Sequence, residues 1–403
     1  MNIFKKIIVI ITILEFLFPC GGDANLDELV NVQDIVLTIS HILGVELLED
    51  ENFSNSDANN DEVVDVLDVV IIVGIVLSDD NECDETHLDL TLEWEFQEDL
   101  SYFNYEELEN IINNQVDSLN NYNDAGLEGL IIIHNGKIVS EEYYEGSSIS
   151  EVYNIWSVTK SFTSTLIGQA IDQGLIQNQN SALHNFLPDY GQPYLESVTL
   201  HDLLTMSSGY TDGFGYPYWV DATTMQLEWM PYTFPDFFFY NNSACHLNSH
   251  ILYEGTGSTP KEFASVNLFP YLGINDPFWM DGYNNINDGS ASLHLRLRDM
   301  VKLGQLFSQD GYASEDNQIV SSEWIEIATS PFILTGFPGL DNYGYLWWIP
   351  QEGYLAYGYG GQFIAVMPER NLVIGTHSNI SSTQSYQIEL LNIIYNEIAP
   401  LFE

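Results

Sequence analysis

The chain has 403 residues, of which 45% are hydrophobic and 13% aromatic, so it is long enough for two or three domains and is not globally disordered. Its 59 acidic and 9 basic side chains give a formal net charge of −50. Such a chain repels phosphate backbones and anionic lipid surfaces, so we expect no nucleic-acid binding and no electrostatic attachment to membranes.

Residues 1–20 predict an export signal. Lys5 and Lys6 form a basic start, and an apolar run follows over residues 7–18. This run is too short for a comfortable transmembrane span, and no later stretch has the composition of one. We therefore expect an exported protein, in the periplasm, outside the cell or at the cell surface. Cys20 is a candidate lipid attachment point, which would be the only link to a membrane.

Residues 23–34 and 57–68 are two similar acidic blocks, each followed by an apolar, helix-like run. Oxygen-bearing side chains occupy positions 1, 3, 5, 9 and 12 of each block. This spacing surrounds a calcium ion with hard oxygen ligands, and a backbone carbonyl is added at position 7. The blocks predict two structural calcium ions, and the expected ligands are Asp23, Asn25, Asp27, Leu29, Asn31 and Asp34, then Asp57, Asn59, Asp61, Val63, Asp65 and Asp68.

This duplicated pattern resembles a dockerin, the calcium-loop and helix module that docks onto cohesin domains. The resemblance implies a small all-α module over residues 21–80 and a cohesin-type partner, with a calcium-stiffened spacer as the alternative. Both blocks depart from the pattern at position 6, where Glu28 and Glu62 replace the usual glycine. A non-glycine residue at positive φ costs about 1 kcal/mol, so we expect weakened calcium affinity.

Residues 81–96 predict an acidic linker, and residues 97–403 predict the second domain. Cys83 and Cys245 are isolated in the sequence, so two separate thiols are favoured over a disulfide. Asn135-Gly136 joins two β-rich runs and is a strong hairpin signal.

Strand-like runs lie near both ends of the second domain, and the segment between them has mostly helical patterns. The expected strands cover residues 127–134, 137–144, 343–349, 354–357, 362–367 and 372–377, and further helices cover residues 106–119 and 384–398. We therefore expect an α+β fold, with one antiparallel sheet flanked by helices and a helical subdomain.

Ser157 and Lys160 form an S-x-x-K motif. Residues three apart share one face of a helix, so the two side chains can meet. A neutral lysine can then take the proton of the serine hydroxyl and make it a nucleophile. An apolar helix-like run follows, so Ser157 should stand at a helix N-terminus, where its N–H is free and negative charge is favoured.

Two further motifs fit this chemistry. In Tyr240-Asn241-Asn242 the phenol can pass a proton to a leaving group, and the Asn242 amide can bind substrate. Residues 358–362 read GYGGQ, where the glycines allow a substrate to lie against a strand edge. The N–H groups of Ser157 and Gln362 would form an oxyanion hole. The candidate substrate-binding residues are Asn242, Tyr359, Gly360, Gly361 and Gln362.

Together these motifs resemble the serine β-lactamase and penicillin-binding-protein superfamily, above all its class-C-like branch of esterases, D-aminopeptidases and 6-aminohexanoate-oligomer hydrolases. The resemblance implies that Ser157 is acylated, that Lys160 is its base, that Tyr240 shuttles protons and that catalysis needs no cofactor. The family commonly has Lys or His where Tyr359 stands, and that cation helps to hold a substrate carboxylate.

We therefore expect a small-molecule ester, amide or peptide-like substrate that is less anionic than penicillin, and a carboxylesterase or amidase activity. One alternative is a β-lactamase, a D-alanyl-D-alanine carboxypeptidase or a D-aminopeptidase. A second alternative is a non-catalytic binding protein whose function lies in the calcium module.

A general base must be neutral, whereas a strongly negative protein favours the ammonium form of a lysine. The segments around the three motifs, residues 153–176, 231–253 and 354–368, contain only Asp172 and Asp236 as acidic residues. We therefore expect a locally neutral, aromatic pocket, and a carboxylate in contact with Lys160 would contradict this hypothesis.

Overall fold

The computed structural model describes residues 22–26, 30–45, 47–48, 50–58, 63–77, 87–116, 119, 126–144, 146–187, 197–209, 236–282, 285–379 and 383–402. The chain divides into two units, Met1–Thr86 and His87–Glu403.

The expected export signal, Cys20 and Cys83 lie outside the described residues. Cys245 is a buried free thiol. None of the helices in the described ranges is long and apolar enough to cross a membrane.

The first unit contains the helices α1 (Val32–Ile42), α2 (Asp50–Ser56) and α3 (Val66–Leu77). Asn31 caps α1, because its side chain accepts from the Gln33 N–H while the Asp34 carboxylate accepts from the Asn31 N–H. Asp65 and Asp68 repeat this arrangement at the start of α3. The two sequence blocks therefore begin two helices in the same way, and α1 packs against α3.

The second unit is built on an antiparallel sheet with the strand order β2-β1-β12-β11-β10-β9-β8-β7 in the described part of the chain. The sheet strands are β1 (Leu127–His134), β2 (Lys137–Tyr143), β7 (Ile333–Phe337), β8 (Leu340–Tyr343), β9 (Trp348–Ile349), β10 (Tyr354–Gly358), β11 (Gln362–Met367) and β12 (Leu372–Ser378). Short pairs are formed by β3 (Tyr153–Asn154) with β4 (His294–Leu295), and by β5 (Tyr312–Ser314) with β6 (Asn317–Gln318).

The predicted joining of strands from both ends of the domain is confirmed, because β1 pairs with β12. Asn135 and Gly136 both have positive φ, 48° and 72°, as the hairpin between β1 and β2 requires. The prediction of one strand over residues 343–349 is wrong. The chain turns between β8 and β9, where Leu346 has a φ of 62° and the Gly344 N–H bonds the Trp347 carbonyl.

Helices fill the middle of the domain and cover the sheet, as expected. They are α4 (Tyr105–Ile111, extended by a π-helical turn Ile112–Val116), α5 (Thr159–Asp172), α6 (Leu200–Leu204), α7 (Asn242–Thr256), α8 (Pro260–Asn267), α9 (Leu297–Ser308), α10 (Ser322–Ala328) and α11 (Gln384–Ile393, extended by Ile394–Ile398). α5 is buried over almost its whole length and packs against α7 and α8. α9 packs on β11 and β12, where a Cβ at Gly304 would lie 2.6 Å from Ile364. The helix α5, which contains Lys160 of the S-x-x-K motif, is thus held inside the core.

Residues 87–96, which the sequence places in a linker, lie in the second unit. Leu90 and Trp94 are buried, at 1% and 7% exposure. The Trp94 indole donates to the Arg298 carbonyl, and Lys302 Nζ donates to the carbonyls of Leu90 and Leu92. The structure therefore places residues 87–96 with the second unit.

Candidate active site

Ser157 stands on a short 3-10 turn, Trp156–Val158, that leads from β3 into α5. Trp156 is held at a φ of 48°, and the Asn154 side chain accepts its N–H. Ser157 is half-buried and belongs to the first helical turn, whose N–H groups have no partner within the helix. The turn thus presents a serine hydroxyl and a free backbone donor together.

Lys160 is buried, with 1% of its surface exposed. Its Nζ lies 2.8 Å from Ser157 Oγ, 2.8 Å from Asn242 Oδ1 and 2.7 Å from the Ser290 carbonyl oxygen. A neutral amine has two N–H bonds and one lone pair. Because the amide and carbonyl oxygens can only accept, they take the two N–H bonds, and the lone pair remains for the Ser157 hydroxyl proton. This geometry suits a general base.

Tyr240 lies just before α7, which Asn241 caps through the Ala244 N–H. Lys160 Nζ lies 4.8 Å from the centre of the Tyr240 ring. The same ring stacks on Trp348, with centroids 5.7 Å apart and an interplanar angle of 22°. The phenol is therefore brought beside the serine–lysine pair by residues far apart in sequence.

The GYGGQ motif forms the end of the β10–β11 hairpin. Gly360 and Gly361 have φ values of 88° and 102°, which favour glycine. The Gln362 side chain donates to the Ser378 carbonyl at 2.6 Å and accepts from His377 Nδ1 at 2.7 Å. That side chain is therefore bonded to β12, and the Gln362 backbone lies in register with Gly358 of β10.

Tyr359 is 53% exposed, and its ring meets Trp156 edge-on with centroids 5.5 Å apart. It lines a cleft of about 640 Å³ together with Ser157 and Tyr240. Asn242 and residues 360–362 are not among the lining residues. The other walls come from the β7–β8 turn, from β9 and from α11, which contribute Phe337, Leu340, Trp348, Ile388, Leu391 and Tyr395. The cleft is mainly apolar and aromatic.

The charged residue among those lining the cleft is Glu352. Its carboxylate pairs with the Arg370 guanidinium, which also donates to the Phe402 carbonyl at 2.6 Å. Arg370 lies in the 3-10 turn after β11, and its guanidinium is occupied by these two contacts. In the described part of the protein the cleft therefore offers no free cation to a substrate carboxylate.

The three oxygen partners of Lys160 carry no formal charge, and none of the ion pairs among the described residues includes Lys160. Aromatic rings surround this part of the site, with Tyr240 against Lys160 and Trp348 behind Tyr240. Among the described residues the direct contacts of Lys160 are therefore uncharged or aromatic, as expected, whereas the nearest buried carboxylate, Asp288, bonds to Ser290 and not to Lys160.

Ser290 and Trp348 are among the site residues that the sequence did not predict. Ser290 acts through its backbone oxygen, so its residue type carries no signal. Trp347-Trp348 predicts core packing, which is right for Trp347 at 0% exposure, whereas Trp348 also lines the cleft. Trp347 contacts Phe307 and Tyr354, whereas Trp348 contacts Tyr240, and the sequence pattern does not distinguish these two environments.

In the first unit, Asp23, Asp34, Asp57 and Asp68 are buried, with at most 8% exposure. Asp34 accepts from the backbone N–H groups of Asn25 and Asn31, and burial, helped by the negative charge of Asp23, raises its pKa. Buried carboxylates in a stretch without Lys or Arg fit a bound cation. Among the described residues no three His, Cys, Asp or Glu side chains form a metal-binding group. The expected ligands Asp27, Leu29, Asn59 and Asp61 lie outside those residues.

The sequence pattern of the family described as Beta-lactamase matches residues 119–394, more than half of the chain. No curated protein matches the chain.

A Bacillus anthracis protein named as a 6-aminohexanoate-dimer hydrolase has a similar structure, with 21% identity, a TM-score of 0.60 and coverage of 70% of this chain and 81% of its own. The octameric penicillin-binding protein homologue from Pyrococcus abyssi has 18% identity, a TM-score of 0.57 and coverage of 73% and 78%. The penicillin binding protein from Bacillus halodurans has 19% identity, a TM-score of 0.57 and coverage of 70% and 99%. At these identities the likeness shows the fold, and it confirms the predicted α+β class for the second unit.

Proposed function

The chain belongs to the beta-lactamase family of hydrolases, and we propose that it is an exported serine hydrolase that cleaves a small ester or amide through an acyl-enzyme. The observation that carries this proposal is the orientation of Lys160. Its amine is held by Asn242 and Ser290 and lies 2.8 Å from Ser157 Oγ. A lysine placed in this way is a base that activates a serine.

In the proposed reaction Lys160 takes the hydroxyl proton while Ser157 Oγ attacks the carbonyl carbon of the substrate. The backbone N–H groups of Ser157 and Gln362 would accommodate the oxyanion. Tyr240 would pass its hydroxyl proton to the departing alcohol or amine and take the Ser157 proton from Lys160, so that both groups return to their starting state. Water then attacks the acyl-enzyme while the neutral Lys160 takes its proton, and Lys160 returns that proton to Ser157 Oγ as the acid product leaves.

The charge and polarity of the cleft walls favour a substrate that is uncharged or only weakly anionic. Tyr359 supplies a hydroxyl where a charged residue would attract a carboxylate, and Arg370 is already paired with Glu352. Apolar and aromatic side chains dominate the walls. Desolvating an anion there without a cationic partner is costly, whereas an apolar ester or amide loses little.

The test compares the wild-type protein with Ser157→Ala on p-nitrophenyl acetate, p-nitrophenyl butyrate and nitrocefin. Ser161→Ala is the matched control, because Ser161 lies on the same helix and bonds the Leu346 carbonyl away from the cleft. We expect ester turnover in the wild type and in Ser161→Ala, and none above background in Ser157→Ala. Nitrocefin turnover faster than ester turnover would replace this proposal with a β-lactamase. No turnover together with no adduct from a fluorophosphonate would overturn a serine-hydrolase function.

For the N-terminal unit we propose two structural calcium ions, held by the twelve ligands named from the sequence. The support is the burial of four of these carboxylates and the matching starts of α1 and α3. Bound calcium would place a positive charge among the buried carboxylates and would brace the two loops. A cohesin-type partner, export and a lipid on Cys20 are proposals that rest on the sequence motifs alone.

A further inference from the structure

A buried carboxylate, Asp288, is linked to Lys160 through Ser290. Asp288 has no exposed surface, and its Oδ1 accepts both from the Ser290 N–H at 2.9 Å and from Ser290 Oγ at 2.7 Å. The carbonyl oxygen of the same Ser290 accepts from Lys160 Nζ at 2.7 Å. One residue therefore connects the carboxylate to the proposed base.

The segment around Asp288 is fixed by neighbouring elements. The Asp288 N–H bonds the Met280 carbonyl, and the Asp288 carbonyl accepts from the Trp279 indole at 2.7 Å. A Cβ at Gly289 would lie 2.3 Å from Ser249 Oγ, so only glycine allows this close packing. The carboxylate is therefore held in place with little freedom to move away from Lys160.

Among the described residues, only one of the two Asp288 carboxylate oxygens has hydrogen-bond partners. Its Oδ2 is buried and has no hydrogen-bond partner among the described residues. No described Lys or Arg forms an ion pair with it. His246 Nδ1 lies 3.7 Å from Oδ1, beyond hydrogen-bond distance, and accepts from the Gly289 N–H at 3.4 Å. A buried carboxylate in this condition costs free energy of folding and calls for a functional reason.

We infer that Asp288 is a positioning residue and the counter-charge of Lys160, which stabilises the ammonium group formed when Lys160 takes the Ser157 proton. This inference rests on the proposed serine-hydrolase function. In the step the O–H bond of Ser157 breaks and an N–H bond forms on Nζ. The Oγ electron pair forms the bond to the substrate carbonyl carbon, and the carbonyl π electrons move to its oxygen.

Other titratable groups near Asp288 do not compete for this role. Burial raises the pKa of the Cys245 thiol to about 12, and the thiol bonds the Gly289 carbonyl, so it stays neutral. His250 packs edge-on against His246, with ring centroids 5.0 Å apart. Tyr240 meets Lys160 with its ring face. Lys160 is thus the group near Asp288 whose charge changes during the reaction.

The test replaces Asp288 with Asn, which keeps an oxygen acceptor for Ser290 and removes the negative charge. Asp281→Asn is the matched control, because Asp281 lies in the same segment, accepts from Asn287 and is exposed. The readout is the rate at which a fluorophosphonate modifies Ser157, followed by intact mass from pH 5 to pH 10, with the thermal midpoint measured in parallel.

Removal of the negative charge makes the ammonium form of Lys160 less stable. We expect the acid limb of the rate profile to move to lower pH by about one unit in Asp288→Asn, and the plateau rate to fall by roughly tenfold. Asp281→Asn should keep the wild-type profile. If Asp288→Asn does not fold, Asp288→Ser, which leaves room for a water molecule, carries the same expectation.

A purely structural role would lower the thermal midpoint and leave the position of the acid limb unchanged, and this result would overturn the inference. An equal shift in Asp281→Asn would overturn it as well, because any nearby charge would then suffice. Failure of the proposed function has a different signature, since wild-type Ser157 would not be modified at any pH.

Discussion

The amine of Lys160 lies over the face of the Tyr240 ring, with Nζ 4.8 Å from the ring centre. An ammonium group over an aromatic face gains about 0.5–2 kcal/mol, more when water is excluded. Tyr240 is itself held by stacking on Trp348. The ring therefore favours the charged lysine that forms during acylation, while the phenol hydroxyl serves the leaving group.

These two contributions of Tyr240 can be separated by substitution. Tyr240→Phe keeps the ring face and removes the hydroxyl, so we expect kcat for p-nitrophenyl butyrate to fall by about 100-fold or more through lost proton transfer. Tyr240→Leu removes both and should be slower still. Steady-state kinetics with thermal midpoints measures both effects. Wild-type rates in Tyr240→Phe would show that the hydroxyl transfers no proton.

Lys160 is expected to be essential for chemistry and not merely for packing. Lys160→Met keeps a long apolar chain without a base, so ester turnover should drop by at least about 100-fold. Lys302→Met is the matched control, because Lys302 is also buried and donates to the carbonyls of Leu90, Leu92 and Leu272. It should lose about 1–3 kcal/mol of stability through unsatisfied carbonyls and keep its activity per folded molecule. Equal activity losses in both variants would contradict a specific catalytic role.

Tyr359 is expected to set the preference against anionic substrates. Tyr359→Lys places a cation at an exposed edge of the cleft, so kcat/KM for nitrocefin relative to p-nitrophenyl butyrate should rise by roughly fivefold, as one exposed ion pair allows. Tyr359→Phe, which removes the hydroxyl and adds no charge, is the control. The same ratio in the two variants would mean that selectivity is determined elsewhere in the cleft.

His377 makes folding sensitive to acid. It is fully buried, and burial lowers its pKa from about 6.5 to about 3, while Nδ1 donates to Gln362. The unfolded chain therefore binds one more proton than the folded chain between these values. The stabilisation is complete above pH 6.5 and falls as pH decreases toward 3, by up to about 1.4 kcal/mol per pH unit.

His377→Asn can keep a donor for Gln362 without a titrating ring. Its free energy of unfolding in urea should therefore depend less steeply on pH between 6 and 4 than that of the wild type. His184→Asn is the control, because His184 is exposed. Parallel curves for the wild type and His377→Asn would show that the ring is not held neutral by burial.

Calcium should stabilise the N-terminal unit. At a free concentration 100 times the dissociation constant, one bound ion adds about 2.7 kcal/mol, so the thermal midpoint should rise with calcium and fall with EDTA. Native mass spectrometry should count two ions in the wild type and one in Asp34→Asn or Asp68→Asn. Asp341→Asn, an exposed acid of the other unit, should still bind two. No bound calcium in the wild type would refute the calcium-loop interpretation.

The parts of the site that were predictable are those that local geometry determines. Ser157 and Lys160 meet because residues three apart share a helix face, and the Asn135-Gly136 hairpin forms because both residues accept positive φ. The contact between Lys160 and Ser290 spans 130 residues and uses a backbone oxygen. No residue pattern marks such a contact, since every residue has a carbonyl group.

The wrong prediction of one continuous strand over residues 343–349 has a related cause. Aromatic and β-branched residues predict a continuous strand there, but Leu346 is held at positive φ by tertiary contacts, among them the bond from its N–H to the Leu204 carbonyl. The role of Asp288 was missed for the same reason. Its bonds to Ser290 are local, but its burial and the bond that joins Ser290 to Lys160 depend on segments that are distant in sequence.

The nucleophile and its base are neighbours in sequence, but the oxygens that orient the base come from residues 242 and 290. The Ser157 hydroxyl therefore has an oriented base only when these distant segments have docked against α5. A partly assembled chain could contain a complete α5 and still have an unreactive serine. Covalent labelling of Ser157 is thus a kinetic reporter of correct assembly, usable in refolding experiments before any natural substrate is known.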